Sequence, residues 1–377
     1  MAEPFTDLDF QSVKSKLKDY LKGQDKFKDY DFEGSNINVL LDILAYNTFQ
    51  NNYYTNMAIS EMFLDSAQVR DSVMSHAKEL NYLPRSRRSA RAVVSLEFFP
   101  TNSPASITIP EKTQFTAKCG TTTYNFWTDQ AYSIIPTGGT YTISGVDVYQ
   151  GKYVEEFYQV NGTDSQRFII NNDTVDTESI RVFLSESSSS TTEVEFKYTT
   201  NIYDVDSDQS VFYLQPHRDN LYEVIFGEDN FGRQPKNGNV IRIEYRTTVG
   251  EEANGISTIQ LKDPIDGISS TTSLEVSSKG GVERESINSI KFFAPKSIQI
   301  QERAVTENDY AILMRRKFPE IRSISVYGGE RLTPPQYGKV VLALYINDDE
   351  IISQANEQIY REYLIDRTAT TVEPIFV

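Results

Sequence analysis

Between Ala92 and Gln260 the apolar residues recur with a period of two, and no other feature of the chain restricts its fold so strongly. Segments such as RAVVSLEFF, YNFWT, YTISGVDVYQG, IRVFLSE, EVEFKYT, LYEVIFG and VIRIEYRTT follow one another roughly every eight to twelve residues, separated by Gly, Asn, Asp, Pro or Ser. Alternation of this kind sends one row of side chains inward and the next outward, so the central region is expected to be all-β. The run Ser185-Glu186-Ser187-Ser188-Ser189-Ser190-Thr191-Thr192-Glu193 is a solvated loop. Polar tips around it predict a β-domain at 151–215, inserted into a host β-domain formed by 85–150 and 216–280.

On the N-terminal side the period is helical. Phe10, Val13, Leu17 and Leu21 share one helix face, which Gly23 ends. Turn residues from Asp31 to Asn36 follow, with Ser35 or Asn36 as N-cap, and INVLLDILAYNTFQNNYYTNMAIS then predicts a helix of about 24 residues and about 36 Å. Ile37, Leu40, Leu41 and Leu44 make an apolar stripe for two turns. Further on the same face turns into Thr48, Asn51 and Asn52, while Tyr46, Phe49, Tyr53 and Tyr54 are spread around the cylinder. A helix apolar on several sides needs more than one neighbour, which either an ordinary three-helix domain or a bundle completed by other chains supplies. A third helix carries Val69, Val73, Ala77 and Leu80 and ends before Pro84, so the helical domain is set at 1–84.

The C-terminal side is mixed. Gly280-Gly281 stops the β-rich sequence, and Val282 to Phe293 reads as a short helix with Ile287, Ile290 and Phe293 on one face, ended by Ala294-Pro295. Thr306-Glu307-Asn308-Asp309 has the form of a capping box, and Tyr310, Leu313 and Met314 then face a core. Strands follow from Ile321 to Tyr327 and from Val340 to Ile346, around a turn at Thr333-Pro334-Pro335. Residues 281–377 are thus an α+β module, and the fold class is α+β multidomain: an N-terminal helical bundle segment, a central all-β region and this module.

Chemistry leaves little trace. The 53 acidic residues outnumber the 37 basic ones for a net charge of −16, a surface that repels phosphate backbones and anionic lipid. Nucleic-acid binding and membrane insertion are therefore not expected, and no apolar run reaches the length of a membrane span. Arg85, Arg87, Arg88 and Arg91 form the one basic cluster. Four charges without interleaved aromatics make a small footprint for nucleic acid, and guanidinium groups suit carboxylates better, so these arginines are expected in ion pairs with acids of the same polypeptide or a neighbour, inter-chain pairs foremost. Two histidines, His76 and His217, with the lone Cys119 cannot build an ordinary zinc site or a nucleophilic triad. Asp204, Asp206 and Asp208 imitate the start of a calcium loop, but Gln209 and Gln215 stand where Gly and Glu are needed. The glycines of FGEDNFGRQPKNG lack the Lys-Ser or Lys-Thr and the helix of a phosphate cradle. Accordingly no catalytic residue, metal or cofactor is expected, and the single cysteine points to synthesis in the cytosol.

The ordered series Gly280-Gly281, Glu283 and Glu285, Ala294-Pro295, Arg303-Ala304-Val305-Thr306, Asp309-Tyr310, Pro319 and Gly338-Lys339-Val340 resembles the J-like baseplate proteins of contractile phage tails. The N-terminal stretches DYDFEGSNINVLLDILAYNT, FLDSA and AKELNYLPRS are similar to the wedge protein of large contractile myophages. This resemblance implies a structural, non-enzymatic virion subunit of the tail baseplate, assembled in the host cytoplasm. Such subunits bind copies of themselves and other wedge and tail proteins, encircle the central hub and rearrange when the sheath contracts. It also implies that the N-terminal helices enter a shared bundle, with Ile37, Leu40, Leu41, Leu44, Thr48, Asn51 and Tyr54 facing partners. A carbohydrate-binding or depolymerising tail component is the alternative, suggested by Tyr-rich β-structure and abundant acids. The final apolar segment Arg367 to Val377 is expected to pair with a neighbouring polypeptide or to mark a truncation, because relatives continue further and an exposed strand edge invites pairing.

Overall fold

The computed structural model describes residues 9–24, 30–119, 121–163, 166–200, 205–228, 231–346 and 354–377. The protein divides into two compact units, Met1–His76 and Ala77–Val377. In the first, α1 (Phe10–Lys22) starts at Asp9, whose carboxylate accepts from the backbone of Ser12 at 2.9 Å. α2 (Asn36–Glu61) starts at Ser35, whose hydroxyl accepts from Asn38 N at 3.0 Å. α1 packs on α2, burying Val13, Leu41 and Ala45, and Lys14 pairs with Asp42. α3 (Arg70–Glu79) follows a turn in which Glu61 Oε1 accepts from Gln68 N at 2.8 Å, and His76 Nε2 lies 2.9 Å from the Glu61 carbonyl.

The second unit opens with β1 (Arg91–Phe99), in which Ala92, Val94, Leu96 and Phe98 are buried. After it come β2 (Ile107–Ile109), β3 (Gln114–Cys119), β4 (Thr122–Trp127), β5 (Tyr132–Ile134) and β6 (Tyr141–Gln150). Next are β7 (Lys152–Gln159), β8 (Phe168–Ile170), β9 (Val175–Ser185), β10 (Glu193–Tyr198), β11 (Val211–Pro216), β12 (Tyr222–Phe226) and β13 (Val240–Thr247), before β14 (Ile259–Leu261) and β15 (Ser269–Lys279). Two large sheets result. One has the order β14-β3-β4-β6-β1-β15, the other β7-β13-β9-β10-β11-β12-β8.

The second sheet is contained within 152–247, so its strands run past the 215 at which an inserted domain is expected to end. β12 belongs to it by pairing with β11 and β8, and β13 by pairing with β7 over its whole length and with β9 across one irregularity between Glu244 and Arg246. The first sheet curls until its edge strands approach each other. Leu261 N donates to Thr272 Oγ1 at 3.3 Å, and just before β14 Ser278 N donates to Ile256 O at 3.2 Å. Bringing the two edges together hides backbone groups that would otherwise recruit a foreign strand.

The C-terminal module consists of α4 (Ile287–Ile300), α5 (Glu307–Lys317), β16 (Ile321–Gly328), β17 (Lys339–Ile346), α6 (Gln354–Ile365) and β18 (Glu373–Phe376). The capping box at Thr306 and Asp309 is formed. α4, however, begins at its Ser286 cap and passes through Pro295 for five further residues. Proline removes one donor, yet Ala294 and Ile300 are buried, and this packing outweighs the lost bond. The final strand does not wait for another polypeptide: β18 pairs in parallel with β17, and Tyr360, Leu364 and Phe376 join the core of Tyr310, Leu313, Met314 and Leu342.

Nine residues without regular structure, Tyr82 to Ala90, lie against every layer of this unit. Glu285, buried, accepts from Tyr82 Oη at 2.9 Å, Arg85 N at 3.0 Å and Ser289 Oγ at 2.6 Å. Burial chiefly, with the charge of Glu285 adding to it, pushes the Tyr82 phenol far above its ordinary value. Pro84 O accepts from Tyr222 Oη at 2.9 Å, and Ser89 N donates to Asp176 Oδ2 at 3.0 Å. Arg88 exchanges backbone hydrogen bonds with Val282 at 3.0 and 3.2 Å. The C-terminal module has two further carboxylate ties. Glu178 of β9 is bound by Lys317 at 2.6 Å, and Glu302 is held by Arg316 and by Arg367 at 3.3 Å. Burial alone would raise both carboxyls, but Lys317 and Arg88 at the first, and Arg316 and Arg367 at the second, outweigh it and hold them below the ordinary range.

Replacing Glu285 by Ala leaves three donors without their acceptor and is expected to destabilise the second unit by about 2–4 kcal/mol in urea unfolding, against about 1 kcal/mol for Tyr82→Phe. Carboxyls depressed in the folded state contribute stability that is complete above their unfolded value, near 4.5, and is lost as pH falls through the depressed one. The urea midpoint should therefore drop below about pH 4.5, and Glu302→Gln should flatten that drop. An unchanged acid slope in Glu302→Gln would remove this pair from the account.

Candidate subunit interfaces

Helix α2 has 26 residues and so extends about 39 Å. Within its own unit it buries one line, Asn38, Leu41, Ala45 and Asn56. Asn38 donates there from Nδ2 to Glu33 O at 3.1 Å. On the opposite side Leu40, Leu44, Asn47, Asn51, Tyr54 and Ala58 are all exposed, spaced by 4, 3, 4, 3 and 4 residues. From Leu40 to Tyr54 the steps cover two heptads, an average of 3.5 residues, the seam of a supercoiled helix pair. Beside it Ile43 adds to the apolar strip, and Val39, Tyr46 and Tyr53 form a second row at intervals of seven. Leu40, Ile43 and Leu44 are 58%, 59% and 52% exposed, a concentration that isolated surface leucines do not make.

Of the seven residues expected to face partners, Leu40, Leu44, Asn51 and Tyr54 lie on this seam. Thr48 is exposed at its flank and Ile37 is half-buried. Leu41 has to be reassigned: it is 5% exposed, because α1 covers the stripe on which it sits. The sequence stripe Ile37–Leu40–Leu41–Leu44 straddles two faces, one used by the unit itself and the other left open.

The four arginines also divide differently from the inter-chain pairing expected of them. Arg87 Nε is 3.0 Å from Glu283, Arg91 Nη2 is 2.6 Å from Asp147, and Arg88 reaches Glu320 at 3.4 Å while its Nε donates to Gly280 O at 3.0 Å. Arg85 contributes its backbone N–H to Glu285. Carboxylates of the same polypeptide meet three of these cations, so the cluster closes a junction. A further buried guanidinium, Arg246 on β13, escapes sequence reasoning because an isolated Arg in a strand looks solvated. It is bound by Asp129 from the loop between β4 and β5, lies 3.6 Å from Asp176 and stacks over Tyr149 at 4.4 Å. Burial lowers its pKa, but Asp129 and Asp176 more than reverse this and keep the guanidinium charged.

A polar groove of about 480 Å³ opens between the ends of β4, β7 and β13, lined among others by Thr123, Asn125, Gln150, Lys152 and Thr247. Among the described residues of its lining Glu252 is the one carboxylate, whereas glycoside cleavage takes two. His217 Nδ1 lies 3.9 Å from the buried Glu223, beside Lys78 and Arg167 at 3.7 Å each. Asp204 lies outside the described residues. Among the described ones no three His, Cys, Asp or Glu side chains gather as a metal site would require, and no helix is long and apolar enough to cross a membrane.

Residues 9–82 match the helical domain of gp6-like baseplate wedge proteins, and residues 306–377 match C-terminal domain I of the baseplate structural protein gp6. The baseplate wedge protein gp6 of Enterobacteria phage T4 is 27% identical over 338 residues, covering 83% of this chain and 50% of that protein. The protein thus spans about half the length of the curated relative it matches. Two solved structures are looser likenesses. The baseplate of the anti-feeding prophage, determined by cryo-electron microscopy, has 15% identity over 97% of this chain and 70% of that one, with a TM-score of 0.34. The TssK-TssF-TssG baseplate subcomplex of the type VI secretion system has 7% identity over 88% of this chain and 95% of that one, with a TM-score of 0.40. The matches name gp6, where the C-terminal stretch by itself resembles the wider J-like group. A helical domain at one end, domain I at the other and the T4 relative make this protein similar to the gp6-like baseplate wedge proteins.

Proposed function

We propose that this protein is a structural subunit of a phage tail baseplate wedge, and that its work is done by surfaces gripping other subunits. The observation that carries the reading is the open seam of alternating three- and four-residue steps on α2. An apolar strip of that spacing is stabilised by another helix laid along it, and a second copy or another wedge protein would supply one. Leu40 and Leu44 form its apolar start, Asn47 and Asn51 fix register through polar contacts, and Tyr54 adds an aromatic anchor. Repeated around the central hub, such pairings build a ring.

The mechanism is mechanical rather than catalytic. Large non-covalent interfaces can hold two arrangements, and an event at the host surface biases one over the other to release sheath contraction. The strongly acidic protein is a poor match for nucleic acid or an anionic bilayer, so its partners are proteins of the baseplate, joined during assembly in the host cytoplasm.

The double variant Leu40→Asp, Leu44→Asp tests the seam. It should weaken association with itself or with the other wedge proteins at least about a hundredfold, roughly 2.7 kcal/mol, in sedimentation velocity, because both residues are hot-spot candidates. Its own unfolding should shift by no more than about 0.5 kcal/mol, as these positions make no core. Leu41→Ala should do the reverse, losing about 2–4 kcal/mol of helical-unit stability by circular dichroism. A wild-type protein that stays monomeric with every wedge protein present would sink the reading, and undiminished association of the double variant would sink the seam.

A further inference from the structure

Asparagine precedes glycine at Asn161-Gly162, Asn237-Gly238 and Asn254-Gly255, and all these glycines have positive φ, at 71°, 89° and 79°. With no side chain in the way, the backbone nitrogen of such a glycine can reach the Cγ of the asparagine before it. Attack requires that this N–H be free to lose its proton, and here the three sites part. Gly238 N donates to Val160 O at 2.9 Å, and Gly255 N donates to Ser278 O at 2.7 Å. The Asn254 amide is itself pinned, Nδ2 donating to Gly281 O at 2.8 Å and Oδ1 accepting from Gly281 N at 2.9 Å. Gly162 N has no acceptor among the described residues, and Asn161, Gly162 and Thr163 are exposed.

Asn161 is also electronically prepared. Its Oδ1 accepts from Thr163 N at 3.0 Å and from Thr163 Oγ1 at 2.7 Å. Two donors on that oxygen draw electron density from Cγ and stabilise the oxyanion that forms as the nitrogen adds.

We propose that Asn161 is a site of spontaneous deamidation, and that Asn237 and Asn254 are protected by the hydrogen bonds of the glycines that follow them. Gly162 N loses its proton to solvent and bonds to Asn161 Cγ. The Cγ–Nδ2 bond of Asn161 then breaks, its nitrogen taking up protons from solvent and leaving as ammonia. Water opens the resulting succinimide at either carbonyl, giving aspartate or isoaspartate. The sum is amide plus water to acid plus ammonia, with no redox partner. Each product adds a negative charge at the turn that leaves β7, and isoaspartate also lengthens the backbone by one carbon. Space there is limited, because a Cβ on Gly162 would lie 3.0 Å from Asn237 Cβ.

Peptide mapping by mass spectrometry, after incubating the purified full-length protein in mildly alkaline buffer, tests this. A glycine nitrogen that must first break one hydrogen bond should react about tenfold more slowly, so Asn161 conversion should outrun that at Asn237 and Asn254 by about that factor. Thr163→Val should slow it at Asn161 alone, with thermal unfolding unchanged. Equal or faster conversion at either other site would overturn the proposal. So would an intact Asn161 after a free peptide of the same sequence has been fully converted.

Discussion

A carboxylate removed from water has to be met by donors on every side, and the second unit is arranged around that requirement at Glu285. A phenol, a hydroxyl and a backbone N–H converge on it, drawn from the segment entering the β-region and from the first turn of α4. Arg85 and Glu285 stand 200 residues apart in sequence, so the ion can be satisfied only when strands and C-terminal module are already in place. Polar closure of this kind specifies one arrangement where apolar contact alone would accept several.

The same device recurs where the second sheet meets the first. Arg246 is buried on β13, yet its partners Asp129 and Asp176 come from the host loop and from β9 respectively. Asp176 in turn accepts from Ser89 N, which returns the network to the entering segment. Two sheets with separate apolar cores are joined by charged groups rather than by a shared greasy surface. Such a joint tolerates little error in angle, since hydrogen bonds weaken steeply out of line.

Much of the local structure is legible in the residues because it depends on neighbours in sequence. Ser35 and the Thr306–Asp309 box announce their helices through side chains that reach only three residues. The period-two run announces strands but not their partners, which is why sequence reasoning ends an expected insertion at 215 although the sheet that starts with β7 runs on to β13 and Thr247. Pro295 reads as a stop because its cost is local, whereas the burial that carries α4 past it is tertiary. α6 escapes sequence reasoning altogether, its buried Tyr360 and Leu364 lying four apart in a stretch otherwise rich in polar residues. On α2 the apolar stripe is visible, but choosing its inner from its outer half requires knowing where α1 lies, and Leu41 falls on the other side of that line.

The irregular segment from Tyr82 to Ala90 is bonded sideways to β9, β12, the strand-end glycines before α4 and Glu285 beside that helix. A tug delivered along the polypeptide at this point would load all of those bonds in parallel, as a rivet loads every plate it passes through. Strain arriving there is shared out among three layers at once instead of peeling one hairpin.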